Sequence, residues 1–180
     1  DRWQSELQRI LKDHRAPASD RLRAMDLLTY FGPPPANNML VELLRDPEPA
    51  MRVRATRLIG HRTDAALSQP LNSLLGDGDP WVRRVACEAI AHRGAQIPVR
   101  DLVALLDDAD RFVAFAARRA LEKAPTEQWH SQVLSTTSPR VFLQGATGLL
   151  IANPSSQTAR HVLARCEAML RGQGPERGQP

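Results

Sequence analysis

Five histidines, two cysteines and a recurring set of Arg and Asp residues are the groups in this 180-residue chain whose types and spacing could do chemistry. None of His14, His61, His92, His130 and His161 stands four residues from another His, a Cys or a carboxylate in a known metal pattern. A zinc site of the usual three or four ligands therefore has no donor set. His61 and His92 lie 31 residues apart, each followed by Arg (Arg62 and Arg93). Such pairs suit the last turn of a helix, where cations oppose the negative end of the dipole. Cys87 and Cys166 are too few for a disulfide framework and read as small helix residues. There is no Gly-rich phosphate loop and no nucleophile elbow of the G-x-S-x-G kind. The expectation is a non-catalytic chain with no catalytic, cofactor-binding or metal-binding residues. Arg52 and Arg83 recur in step with Asp46, Asp77 and Asp108, which fits a structural pairing ladder better than phosphate binding. Because Ala114 and Phe142 stand where the next Arg residues would, the ladder should end before them. Trp3, Trp81 and Trp129 occupy unrelated positions, so they form no binding stripe and read as packing residues.

These groups are positioned by a repeat. RLRAMDLLT from Arg21, RVRATRLIG from Arg52, RRVACEAIA from Arg83 and AFAARRALE from Ala114 begin at 31-residue intervals, and FLQGATGLL follows from Phe142. The Leu-rich pairs Leu43-Leu44, Leu74-Leu75, Leu105-Leu106 and Val133-Leu134 precede these segments at a fixed distance, and Ile10-Leu11 is a looser first instance. Between pair and segment stand DPEP, DGDP, DADR and TTSP. Asp79 and Ser138 can accept hydrogen bonds from the first free N–H groups of a helix, and Pro80 and Pro139 suit its first position. Each repeat is therefore a helix A, a turn and a capped helix B, with B helices starting near Asp20, Pro49, Pro80, Arg111 and Pro139. Val82, Val85, Ala86, Ala89 and Ile90 form one apolar stripe, and Val113, Ala116, Ala117, Ala120 and Leu121 form the next.

The expected architecture is all-α, with about five helix pairs and a C-terminal helix. Repeats are placed near 1–32, 36–63, 67–94, 98–124 and 127–153, with Pro33-Pro34-Pro35 as an inter-repeat loop and a final helix over 155–171. That last helix should present Ala159, Val162, Leu163, Cys166, Met169 and Leu170 on its apolar side. Residues 172–180 are Gly/Pro/Gln-rich and read as a disordered tail or linker. Aromatics are only 4% of a chain that is 42% hydrophobic, which favours close helix packing over sheet. Net charge is +4, almost all of it from Arg, so a nucleic-acid partner is permitted without being indicated. No apolar run reaches the roughly 18 residues of a membrane span. The chain begins at Asp1 without an initiator Met, which implies a processed form or a fragment.

The segment DPWVRRVACEAIA, with its turn DP, then apolar-Arg, then Ala, resembles short bacterial HEAT-like repeats of the lyase type. The likeness spans about Asp20 to Pro154 and implies a right-handed α-α superhelix, an armadillo-like helical solenoid that serves as a protein–protein interaction scaffold. DRFVAFAARRALEKAPTEQW, from Asp110 to Trp129, is also similar to the HEAT segment of large exported bacterial proteins that join a propeller domain to a c-type cytochrome. Those proteins carry a Cys-x-x-Cys-His haem motif, which this chain lacks, so no redox activity or haem carries over. That second resemblance implies an exported or periplasmic setting; without it the setting is cytoplasmic.

The expected partner is another protein or a neighbouring domain of the same polypeptide. The alternative is a nucleic-acid module resembling the HEAT-like DNA glycosylases, and a third reading is a lyase resembling those of phycobilins. The candidate contact face is the concave side of the B helices: Arg57, Arg84, Glu88, Phe115, Arg118, Arg119 and Leu143. The 31-residue shift aligns Arg57, Glu88 and Arg119 as an alternating charge column, and Phe115 with Leu143 as adjacent apolar groups. Cys87 and Ala91 should share the outward side with Arg84 and Glu88.

Overall fold

In a computed structural model, which describes residues 2–172, the chain is all helical, with eleven α-helices among the described residues. It divides into two compact units, residues 1–96 and 97–180.

The first unit holds three helix pairs: α1 (Arg2–Lys12) with α2 (Ala18–Phe31), α3 (Asn37–Leu43) with α4 (Pro49–Gly60), and α5 (Ser68–Ser73) with α6 (Pro80–Arg93). The A helices are short, and 3₁₀ turns at Ala65–Leu67 and Leu74–Gly76 flank α5. Most of the close packing runs between the B helices α4 and α6. There Gly60 lets two backbones meet: a Cβ on it would lie 3.1 Å from the Ala89 Cβ. Met25, Leu28, Leu40, Met51, Ile59, Leu71, Val85 and Ile90 are all at most 1% exposed and form the core.

The second unit holds α7 (Val99–Ala104) with α8 (Arg111–Leu121), α9 (His130–Ser135) with α10 (Pro139–Ala152), and the final helix α11 (Ser156–Gly172). Its contacts run α8 to α10, α10 to α9, and α11 onto both α9 and α10. Trp129 is fully buried, and its indole N–H reaches the Ala124 carbonyl at 3.5 Å. It sits against Gly148, where a Cβ would lie 3.2 Å from the ring.

The four B helices from α4 on start where the caps and prolines place them, and α2 starts at Ala18, within two residues of expectation. Asp79 Oδ1 accepts from the N–H groups of Trp81 and Val82, and Ser138 Oγ from that of Val141. Asp110 does the same for Phe112 and Val113 at the start of α8, although Arg111 replaces the proline there. The turns share a second device. Asp46, Asp77 and Asp108 each accept from the N–H two residues on, at 3.0, 2.9 and 2.8 Å, and the Thr136 hydroxyl accepts from Ser138 at 3.2 Å. This side-chain turn reverses the chain between helices A and B without consuming a backbone carbonyl.

Two expectations are corrected. Cys87 was placed on the outward side of α6 yet is fully buried. A helix packed on several sides buries more than one stripe, and α6 meets α4, α5 and the preceding 3₁₀ turn. On α11, of the six apolar residues assigned inward, only Val162 is buried; Leu163 and Leu170 are 62% and 69% exposed. A terminal helix has neighbours on one side alone. Most of the segment 172–180, expected to be a linker, lies outside the described residues.

Candidate interaction face

The Arg–Asp chemistry is absorbed by the scaffold. Arg21 makes a bidentate contact with Asp46, both Arg52 nitrogens bond Asp77 at 2.8 Å, and the partners are 25 residues apart in each case. The first pair is deep: the Arg21 and Asp46 side chains are 3% and 1% exposed, against 15% and 10% for Arg52 and Asp77. Arg21 also donates to the Leu11 carbonyl at 3.1 Å. Burial works against the Asp46 charge, but the Arg21 bonds, the Glu48 N–H and the nearby positive groups outweigh it and hold its pKa below the ordinary carboxylate value. The Asp77 bond does the converse for Arg52, raising its pKa against the opposing effect of burial. The turn carbonyls are bonded in the same register: Arg52 Nη1 donates to Asp46 O and Pro47 O at 2.8 and 3.2 Å, Arg83 Nη1 to Asp77 O and Gly78 O at 2.8 and 3.3 Å. Arg21 was missing from the sequence ladder. Its signal was the constant offset of 25 residues to a turn Asp.

The Arg residues closing the B helices are consumed likewise. Arg62 donates to the Asn37 side chain and the Pro35 carbonyl, both at 2.7 Å, and so secures the triple-proline loop. Arg93 donates to Arg62 O, to Asp64 O at 2.9 Å and to Ser68 Oγ at 3.1 Å, one repeat later. His61 and His92 meet edge to face with centroids 4.7 Å apart, and His92 Nδ1 lies 3.0 Å from the Gly60 carbonyl. A carbonyl only accepts, so that nitrogen carries a proton. Among the described residues no three His, Cys, Asp or Glu side chains gather as a metal-ligand group. No helix among them is long and apolar enough to cross a membrane.

The seven candidate face residues separate. In the first unit, Arg84 pairs with Glu88 within α6 at 3.0 Å. Arg57 instead lies over the Trp81 ring, 5.9 Å from its centroid. The expected ion pair between Arg57 and Glu88 is thus replaced by a local i, i+4 pair, which aligns more readily on one helix. In the second unit, Arg119 bonds Glu122 of its own helix, as does Arg118 at 3.0 Å. Arg118 is corrected as an exposed contact: it is 9% exposed and stacks on Phe115 at 5.0 Å. The α8–α10 approach at Gly148, where a Cβ would meet Arg118 Cγ at 3.2 Å, leaves its stem covered. Phe115 and Leu143 are 52% and 64% exposed. Sequence reasoning also missed a group on α2 and α4, where Arg54 bonds Asp26 at 2.6 Å and reaches the Tyr30 hydroxyl at 3.5 Å. Burial lowers the Arg54 pKa, and the bonds to Tyr30 and Asp26 outweigh it, leaving a net rise.

Stacked A/B pairs, capped turns at 31-residue spacing and an Arg–Asp ladder define a helical repeat protein. Residues 37–122 match the family model of HEAT repeats. The chain is a HEAT-like repeat protein. No curated protein matches it.

Proposed function

We propose that this chain is a non-catalytic scaffold whose exposed helix B side chains contact another protein or a neighbouring domain of the same polypeptide. The HEAT repeat class supports the coarser part of this reading, since such folds commonly serve as interaction scaffolds. The observation that carries the finer part is a division of labour among side chains. Turn acids and recurring arginines are spent on bonds inside the repeats. Phe115, Leu143, Leu150 and Ile151 stand 40–64% exposed in the second unit. Clustered apolar groups left in water at that cost mark contact surfaces.

Photo-crosslinking tests this. A crosslinking residue at position 143, with the chain produced in its own cells, should trap a defined protein adduct. Phe115→Asp should abolish the adduct and leave the unfolding midpoint in place. Filter binding to a 20-mer duplex at 50 and 200 mM salt separates the nucleic-acid alternative. Affinity that falls by a thousandfold or more over that range would replace the scaffold reading.

A further inference from the structure

The first unit carries a cleft that its own packing does not explain. It occupies about 540 Å³ across the exposed ends of α2, α4 and α6. Leu58, Gly60, Val85 and Ala89 supply its apolar lining, and Tyr30, Arg54, Arg57, Glu88, His61 and His92 its polar groups. Tyr30 is 68% exposed, large for an aromatic at the mouth of a helix-lined groove.

The charges around this cleft do not cancel. Asp26 is neutralised by Arg54, and Glu88 by Arg84. Arg57 makes no ion pair among the described residues; it rests on the Trp81 ring. That contact uses the face of the guanidinium and leaves its five N–H donors without a protein acceptor. His61 and His92 add donors at one end, and His92 is oriented by the Gly60 carbonyl. The apolar area has no side chain to cover it: Gly60 has none, and Ala89 ends at Cβ, 3.1 Å from where a Gly60 Cβ would stand.

We propose that this cleft binds an extended acidic peptide segment, seating an aliphatic side chain on the Gly60–Ala89 floor and a neighbouring carboxylate on Arg57. The proposal rests on the interaction-module reading and names its partner chemistry. A carboxylate matches the one arginine whose donors are uncommitted, and the acids already present are too well paired to compete or repel strongly. An aliphatic anchor matches a floor built from a glycine and an alanine, where a bulkier wall would exclude it. A basic or polyanionic nucleic-acid strand fits less well. The first would meet Arg57 and the His pair; the second would need a continuous basic track, which Glu88 and Asp26 interrupt.

The test is fluorescence anisotropy with the full 180-residue chain and a fluorescein-labelled heptapeptide of alternating Leu and Glu. A second peptide has Gln in place of each Glu. The acidic peptide should bind, the Gln peptide at least tenfold more weakly, and Arg57→Glu should lose at least tenfold without moving the unfolding midpoint. Arg171→Glu, on α11 in the second unit, should bind as the parent does. Equal affinity for both peptides, or no effect of Arg57→Glu, overturns the proposal, as does stronger binding of a single-stranded oligonucleotide that displaces the peptide. Failure here with the position-143 adduct intact would refute the cleft alone; loss of that adduct with peptide binding intact would refute the Phe115–Leu143 surface alone.

Discussion

Removing the charge of Asp46 should cost more than any other single charge change in the turns. Its carboxylate is 1% exposed and faces Arg21, 3% exposed, whose remaining protein acceptor is the Leu11 carbonyl. Asp46→Asn keeps an oxygen for the Glu48 N–H, bonded at 3.0 Å in the parent, so the turn survives. What it removes is the counter-charge of a buried guanidinium. Breaking a buried pair from one side costs about 3–5 kcal/mol. For a chain of this size that is on the order of a 6–20 °C fall in Tm. Arg21→Met with Asp46→Asn removes both charges and should recover most of the loss, since a buried pair replaced as a whole is often neutral. The exposure at Arg52–Asp77 is several times greater, so Asp77→Asn should cost less. The pH dependence has a definite sign. The folded pKa of Asp46 lies below the unfolded one, so its contribution is complete above the unfolded carboxylate pKa of about 4. It is lost as pH falls through the lower folded value. Between neutral pH and that range, Asp46→Asn should show a flatter stability profile than the parent below about pH 4. Circular-dichroism melts and urea titrations from pH 2 to 7 measure both effects. A loss under about 0.5 kcal/mol, or a double variant no better than Asp46→Asn alone, would refute the reasoning.

Three further outcomes follow from the geometry. Gly145→Ala should lower Tm despite a helix-propensity gain of about 1 kcal/mol, because its Cβ would fall 2.4 and 2.6 Å from the Val133 methyls; overpacking costs about 1–3 kcal/mol, and Val133→Ala in the same chain should restore the midpoint. Arg93→Ala should cost about 1–3 kcal/mol through its abandoned carbonyl and hydroxyl acceptors, whereas Arg171→Ala, whose partner Glu167 is 66% exposed, should stay within about 0.5 kcal/mol on urea unfolding. Asp79→Ala and Asp110→Ala should each cost about 1 kcal/mol as lost N-caps, with hydrogen exchange quickening at Trp81–Val82 and Phe112–Val113 respectively.

The B helices were legible in sequence because their starts are written in local chemistry: an acceptor before a proline, followed by a stripe of period 3.6. Asp110 shows that the acceptor suffices, since α8 is capped without a proline. The A helices were less legible. They are six or seven residues long in three of the repeats, too short for a stripe, and two close as 3₁₀ turns whose form depends on the packing beneath. Among candidate face residues, Phe115 and Leu143 were placed correctly in water. Arg118 and Cys87 were not, because a period tells which residues share a face and leaves open how many faces have neighbours. Partner choice was also hidden: Arg57, Arg84 and Glu88 all suit one another by charge, and helix geometry decides for Arg84.

Recurrence within the chain separates scaffold from function by a physical argument. Arg52 and Arg83 bond corresponding turn carbonyls at distances equal to within 0.1 Å. A residue that repeats with its bonds is fixed by the stacking of one pair on the next. The following position is Val53, Arg84, Phe115 and Leu143 in successive repeats from the second. Val53 is 2% exposed, while Phe115 and Leu143 are mostly in water. The fold accepts a buried aliphatic, a paired cation and two exposed apolar groups at one structural place, so packing does not dictate its identity. Tyr30 and Arg57 sit among residues of the same freedom. Positions that the stack leaves undetermined are where a repeat protein can encode a partner without altering how it folds.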